Sequence, residues 1–389
     1  MFNALPKPTQ RRAGKPHTLR AACAVALLTA FAAPAFAGAS FDVGGATFSV
    51  GAGVRVGATM TQDAAPNGDD ATNFDVQSIR LYFGGKVNDF IKFTFNTEEI
   101  FNKSQIDVLD AIVQFEFQKE FNVWMGRMLT PADRIEMNGP YYALTWNQYT
   151  QPLFPSDQGG DAGTYGRDDG VTVWGTIDKF QYALGAFNGL RGFSNTGDNP
   201  LFATRIAYNF LAMEDNPAYY TSSTYYGGLG NVFTVGLSYQ SQSDGVGNAT
   251  KQGDFSGVTA DVLSETVVDG GVITVEGEYK DFSADYTLAT VPTTGGGCFC
   301  LFDGKSYFGS AAFLFSQSSG PGKFQPYVRY VENKPSDAAK SDLTEVGVNY
   351  VINGHKARLN FNYSSGDANI SGYPGKDVDT FSFGAQLQF

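Results

Sequence analysis

From Thr47 onward the chain repeats one pattern: runs of about ten residues alternate apolar and polar positions, and clusters of Gly, Asp, Asn and Ser separate them. Ile79, Leu81 and Phe83 interleave with Ser78, Arg80 and Tyr82. Ile91, Phe93 and Phe95 interleave with Lys92, Thr94 and Asn96, and Val87 to Phe90 joins the two runs as a tight hairpin turn. The alternation returns in Phe233, Val235, Leu237 and Tyr239, in Val346, Val348 and Tyr350, and in Ala357, Leu359, Phe361 and Tyr363. No stretch sustains a helical apolar period, so the pattern predicts an all-β chain.

Strands are expected to begin near residues 46, 75, 89, 107, 121, 168, 180, 201, 231, 255, 271, 305, 323, 342, 355 and 378. An even count puts both ends of the array on one side, and the connections then sort by rim. Those after even-numbered strands are short (Val87 to Phe90, Phe117 to Phe121, Ile177 to Phe180, Ile352 to His355), and those after odd-numbered strands are long. The expected fold is therefore a 16-stranded antiparallel transmembrane β-barrel with short periplasmic turns and long extracellular loops. Leu211 to Asn231 departs from the rule, a long connection on the short-turn side. A soluble β-sandwich would show the same alternation. The last run, Phe381, Phe383, Ala385, Leu387 and Phe389, favours the barrel, because a flat apolar edge strand invites aggregation and closure removes the edge.

The first 37 residues read as a Sec signal peptide: Lys7, Arg11, Arg12, Lys15 and Arg20, then apolar Ala21 to Phe36, then Ala35-Phe36-Ala37 before a mature start at Gly38. The barrel domain is then 38–389. Loss of the five leader basics leaves 22 Lys and Arg against 39 Asp and Glu, an acidity that disfavours a nucleic-acid partner. It also leaves His355 as the single mature histidine, placed in a short turn and read as solvated; no Ser-His-acid or Gly-x-Ser-x-Gly arrangement is usable, and the chain is not expected to be an enzyme. No cofactor or metal is expected. Cys298 and Cys300 flank Phe299 in a Gly-rich loop of an oxidising compartment, a spacing that can close a small disulfide.

Sixteen strands enclose a lumen too wide for side chains to fill, so diffusion through it is the default expectation. The loop from about Met128 to Arg167 should narrow it, carrying Arg134, Glu136, Asn138 and the aromatics Tyr141, Tyr142, Trp146, Tyr149 and Phe154. The alternative is a flap over the barrel mouth. Glycines inside strands, Gly53 and Gly309 among them, weaken a sheet but can let an inserted loop approach the wall.

The runs Ser78-Ile79-Arg80-Leu81-Tyr82-Phe83-Gly84-Gly85-Lys86, Asp110-Ala111-Ile112-Val113 and Met125-Gly126-Arg127-Met128-Leu129-Thr130-Pro131, with terminal Phe389, resemble the phosphate-selective porin O and P family of Gram-negative outer membranes. That resemblance implies a trimer of 16-stranded barrels whose inward arginines and lysines pass anions. The candidate pore-lining residues are Arg55, Arg80, Lys92, Arg127, Arg134, Glu136, Arg205, Arg329, Lys356 and Arg358, and Phe389 is the candidate membrane-insertion residue. Arg80 and Lys92, and Lys356 with Arg358, are expected to form a basic ladder facing an acidic loop. The expected function is a water-filled channel for small hydrophilic solutes and ions, with outer-membrane lipid and lipopolysaccharide as surroundings and the sign of ion preference open. The competing reading is a structural or docking barrel partnered with another envelope component.

Overall fold

The computed structural model describes residues 39–100, 105–214 and 216–389; the expected leader, residues 1–37, lies outside them. Its strands are β1 (Ala39–Val43), β2 (Ala46–Thr61), β3 (Ala71–Lys86), β4 (Ile91–Ile100), β5 (Asp107–Gln118), β6 (Phe121–Leu129), β7 (Arg167–Ile177), β8 (Phe180–Phe187) and β9 (Leu201–Asn209). The second half holds β10 (Val232–Asn248), β11 (Lys251–Val268), β12 (Gly271–Ala284), β13 (Gly304–Phe315), β14 (Lys323–Pro335), β15 (Ser341–Asn353), β16 (Ala357–Gly366) and β17 (Val378–Gln388).

From β2 to β17 each strand pairs antiparallel with the next, and β17 returns to β2 with Thr380 opposite Thr61 and Gln388 opposite Gly53. The result is a closed 16-stranded barrel. Every ring strand finds hydrogen-bond partners on both edges, as a wall in hydrocarbon requires. Phe389 completes the seam: its N–H donates to Ala52 O (2.9 Å), and the Ala52 N–H donates to Phe389 O (3.0 Å). Strand β1 stands outside the ring. It pairs with the start of β2 (Ala39 opposite Val50) through a turn that Gly44 and Gly45 make at φ 61° and 88°.

Alternation sets the two faces. On β14, Phe324, Val328 and Tyr330 face out and are exposed, while Gln325, Tyr327 and Arg329 face in and are buried. Register lines the outward members into a continuous belt: Val275, Ala311, Val328, Val346, Tyr363 and Phe381 stand opposite one another across six successive strands. Aromatic pairs gather at the short-turn rim, with Phe90 on Phe117 (ring centroids 6.0 Å), Phe210 on Phe233 (5.1 Å) and Phe324 on Tyr350 (5.0 Å). Such a girdle marks the level of the membrane interface.

One long loop foreseen from the pattern is instead a hairpin. Strands β10 and β11 run on to Asn248 and Lys251, which pair across a tight turn. The segment from Ser241 to Gly253 holds Val246 and Ala249 as its apolar residues, too few for an alternation to reveal it.

Candidate functional site

The lumen is built by two insertions. The first, residues 130–166, leaves β6 and folds inward. Asp133 caps its helix α1 (Arg134–Tyr142) by accepting the Glu136 N–H at 3.1 Å, and Gly139 (φ 63°) before Pro140 breaks that helix. A short helix, α2 (Pro155–Gln158), follows. Met137 and Phe154 pack on inward Ile112, Trp124, Phe255 and Phe282, so part of the interior is a dry core.

Elsewhere the wall donates and the loop accepts. Arg55 Nη2 donates to Trp146 O (2.9 Å), Ser238 Oγ to Ala132 O (2.7 Å) and Gln240 Nε2 to Pro131 O (2.9 Å). Asn349 Nδ2 donates to Leu144 O (2.9 Å), Arg358 Nη1 to Ala143 O (2.5 Å) and Gln386 Nε2 to Tyr141 O (2.9 Å). A loop without sheet partners must place its buried carbonyls somewhere, and inward Arg, Asn and Gln receive them.

The second insertion is the connection from Phe210 to Asn231. It enters from the short-turn side and reaches the first. Glu214 takes a two-point ion pair from Arg134 (2.6 and 2.8 Å), and Arg134 Nη1 also donates to Ser222 O (2.8 Å). Asn138 Nδ2 donates to Ser223 Oγ (2.7 Å), and Thr221 Oγ1 donates to Arg134 O (2.7 Å). Ser223 and Thr224 donate to Glu276 and Glu265 of the wall (2.7 Å each).

Charge is distributed unevenly. Asp261 lies between Arg205 (2.5 Å) and Arg134 (3.3 Å), and Lys280 is ringed by Asp133 (2.7 Å), Glu136 (3.0 Å) and Glu278 (3.5 Å). Arg80, across the barrel on β3, pairs with Glu98 (2.7 Å), and Arg329, two strands from Lys280, pairs with Glu345 (2.9 Å). Arg55 and Arg358 differ from these: among the described residues no carboxylate pairs with either. Their guanidinium groups lie over Trp146, 4.0 and 5.8 Å from its ring centroid, and bond to carbonyl or amide oxygens. Burial raises the Glu136 carboxyl well above the usual range despite Lys280, and burial pushes Asp157 up to about 6. Burial works the same way on Glu214, but Arg134 overcomes it and holds that carboxyl below its ordinary value.

The Phosphate-selective porin O and P family matches the chain over residues 48–389. The chain belongs to that family. It is an outer-membrane porin, a channel-forming transmembrane β-barrel. The anion-selective porin from Comamonas acidovorans shares its fold at 16% identity and TM-score 0.57, over 88% of this chain and 100% of that one. OmpF of Salmonella typhi, in complex with daunomycin, does so at 12% identity and TM-score 0.57, over 90% and 100%. The in-vitro folded OmpT of Vibrio cholerae in its trimer form aligns at 14% identity and TM-score 0.53, over 88% and 99%. No curated protein matches the chain.

Within the porin, Arg55, Arg80, Arg134, Glu136, Arg205, Arg329 and Arg358 all lie buried inside the barrel, with Lys92 half-buried on the inner wall. Two candidates stand elsewhere. Arg127 sits opposite Ala111 and Asp169, in the outward parity of Val123 and Met125, and pairs with Asp169 at 2.8 Å; inward Trp124 and Met128 decide that parity. Lys356 lies in the exposed turn before β16 rather than on the strand, so it forms no pair of rungs with Arg358. The expected basic ladder is also interrupted, because Arg80 pairs with Glu98, and Lys92 pairs with Glu116.

His355 is not a solvated turn residue. It is half-buried between the rings of Tyr142 and Tyr226 (5.0 and 4.9 Å), and its Nε2 lies 2.9 Å from Thr224 O. Cys298 and Cys300 are joined as a disulfide, and Phe299 between them pairs its backbone with Gly247. Sequence parity missed Arg167, which pairs with Asp110 at 3.2 Å, and missed Glu214 and the run Thr221 to Thr224. The long connection on the wrong rim was the available signal for the latter.

Proposed function

We propose that this porin passes small hydrophilic solutes and prefers anions, with Arg55 and Arg358 as the attracting charges. The observation that carries this reading is that, among the described residues, no carboxylate pairs with either of these two buried guanidinium groups, while the neighbouring Arg80 is matched by Glu98. A charge held by neutral carbonyl and amide oxygens keeps its net charge toward a passing counterion, where an ion-paired one presents a dipole. Stacking on Trp146 keeps the two cations in place without cancelling their charge. The protein assembles as a homotrimer in outer-membrane lipid beside lipopolysaccharide; the trimer form of the Vibrio cholerae neighbour supports the first part.

The test is the reversal potential of purified protein in a planar bilayer under a salt gradient. Wild type is expected to show the anion-preferring sign, and Arg55→Gln with Arg358→Gln is expected to move it toward cations. Absence of conductance would sink the channel reading, and a cation-preferring wild type would sink the anion reading alone.

A further inference from the structure

A wide barrel should wet its inner wall at all positions, and this one does not. At the short-turn half, inward Asn209, Thr234, Glu265, Thr274, Gln325 and Asn349, on six strands from β9 to β15, are at most 1% exposed. The two insertions cover them. Leu144 O receives Asn349, and the 210–231 segment bonds Asn209 through the Glu214 N–H and Glu265 through the Thr224 hydroxyl before reaching across to His355 in the turn between β15 and β16. Opposite lies a different wall. Tyr82, Thr94 and Asn96 on β3 and β4 are half-buried, the Lys92 and Glu116 side chains are 38% and 22% exposed, and Tyr142 of the first insertion is 41% exposed. Register places Tyr82 opposite Asn96 and Lys92 opposite Gln114, so these side chains form one connected strip.

We infer that the 210–231 segment is the second permeability-determining element of this porin. It fills the short-turn half of the lumen against β9–β12 and confines solute to a crescent along β3–β5, bounded by Tyr142 on the inner side. The partly exposed Lys92–Glu116 pair and Tyr142 then set polarity and width at the inner exit, below the arginines at Trp146. Three features hold the segment: Arg134 on Glu214, the hydroxyls of Thr221 to Thr224, and Tyr219, whose Oη donates to Leu129 O (2.8 Å) beside Trp124. A segment this deeply bonded occupies the lumen as a fixed wall.

The inference rests on the chain conducting, so single-channel current of wild type is recorded first. Replacing residues 213–228 with a short Gly-Ser turn should raise conductance about twofold or more, since current follows open cross-section, and should admit larger neutral solutes in liposome swelling. Lys92→Gln, which leaves Glu116 unmatched, should shift the reversal potential toward cations clearly in wild type and much less in the shortened variant, where solute has a second route. Equal conductance in both proteins, each shown folded by its heat-dependent mobility, overturns the inference while leaving the channel reading intact. Silence in both overturns both. If the shortened variant does not assemble, Tyr142→Trp should lower conductance and Tyr142→Ala raise it; no change in either overturns the crescent.

Discussion

Gly384→Ala tests how closely the first insertion is fitted to the wall. Gly384 is an inward position of β17, and a Cβ placed there would lie 2.2 Å from Cε2 and Cζ2 of Trp146. Carbon atoms settle at about 3.5–4 Å, so the indole must retreat by roughly 1.5 Å. That retreat strains the 3.0 Å bond from Trp146 Nε1 to Gln77 Oε1 and loosens the 4.0 Å stacking of Arg55 on the ring. Overpacking together with a weakened indole hydrogen bond and cation–π contact predicts a loss on the order of 3 kcal/mol. Urea unfolding in detergent, followed by tryptophan emission, measures it. The same substitution in a Trp146→Ala background should cost only a few tenths of a kcal/mol, because nothing is left to collide with, and Trp124 and Trp174 still report. An equal loss in both backgrounds would show that the cost comes from the β17 backbone, and the account of Gly384 as a seat for Trp146 would fail.

Burial beside Arg358 lowers the His355 pKa from 6.5 to about 3, so the folded protein holds the ring neutral. An unfolded or released ring takes up a proton below pH 6.5; stability from this site is therefore complete above that pH and declines as pH falls from 6.5 toward 3. Thermal midpoints at pH 7.5 and 4.5 should differ less in His355→Asn than in wild type, and an unchanged difference refutes the assignment. Intact mass of exported protein should match a chain starting at Gly38, with no thiol alkylated before reduction and two after, since the pairing of Cys298 with Cys300 leaves none free. Any thiol reacting without reductant contradicts that pairing.

The barrel was legible because a wall with lipid on one side and polar contents on the other must alternate at every residue. Gln325, Tyr327 and Arg329 against Phe324, Val328 and Tyr330 carry that information in their order alone. What fills the lumen was not legible. Parity says that Arg358 faces in, but not that it meets carbonyls of the inserted loop, and it gives no account of His355, whose surroundings come from Tyr142 and Tyr226, both remote in sequence. Parity also weakens at strand ends, where Lys356 falls into a turn and Arg127 follows the lipid-facing row. Glycine gave a partial signal. Gly53 lies under Tyr141, where a Cβ would come within 2.9 Å of the ring, yet Gly309 has nothing near it.

The seam between β2 and β17 joins Gly53 to Gln388, partners from opposite ends of the barrel domain. Neighbouring hairpins such as β3–β4 can pair as soon as they are made; the ring cannot close until β17 exists. Until then both β2 and the newest strand present open edges and half-completed ladders, the arrangement most prone to pair with a wrong chain. The topology therefore imposes an order on assembly: the wall remains an unclosed array until its last strand is in place, and completion of that strand permits the barrel to seal.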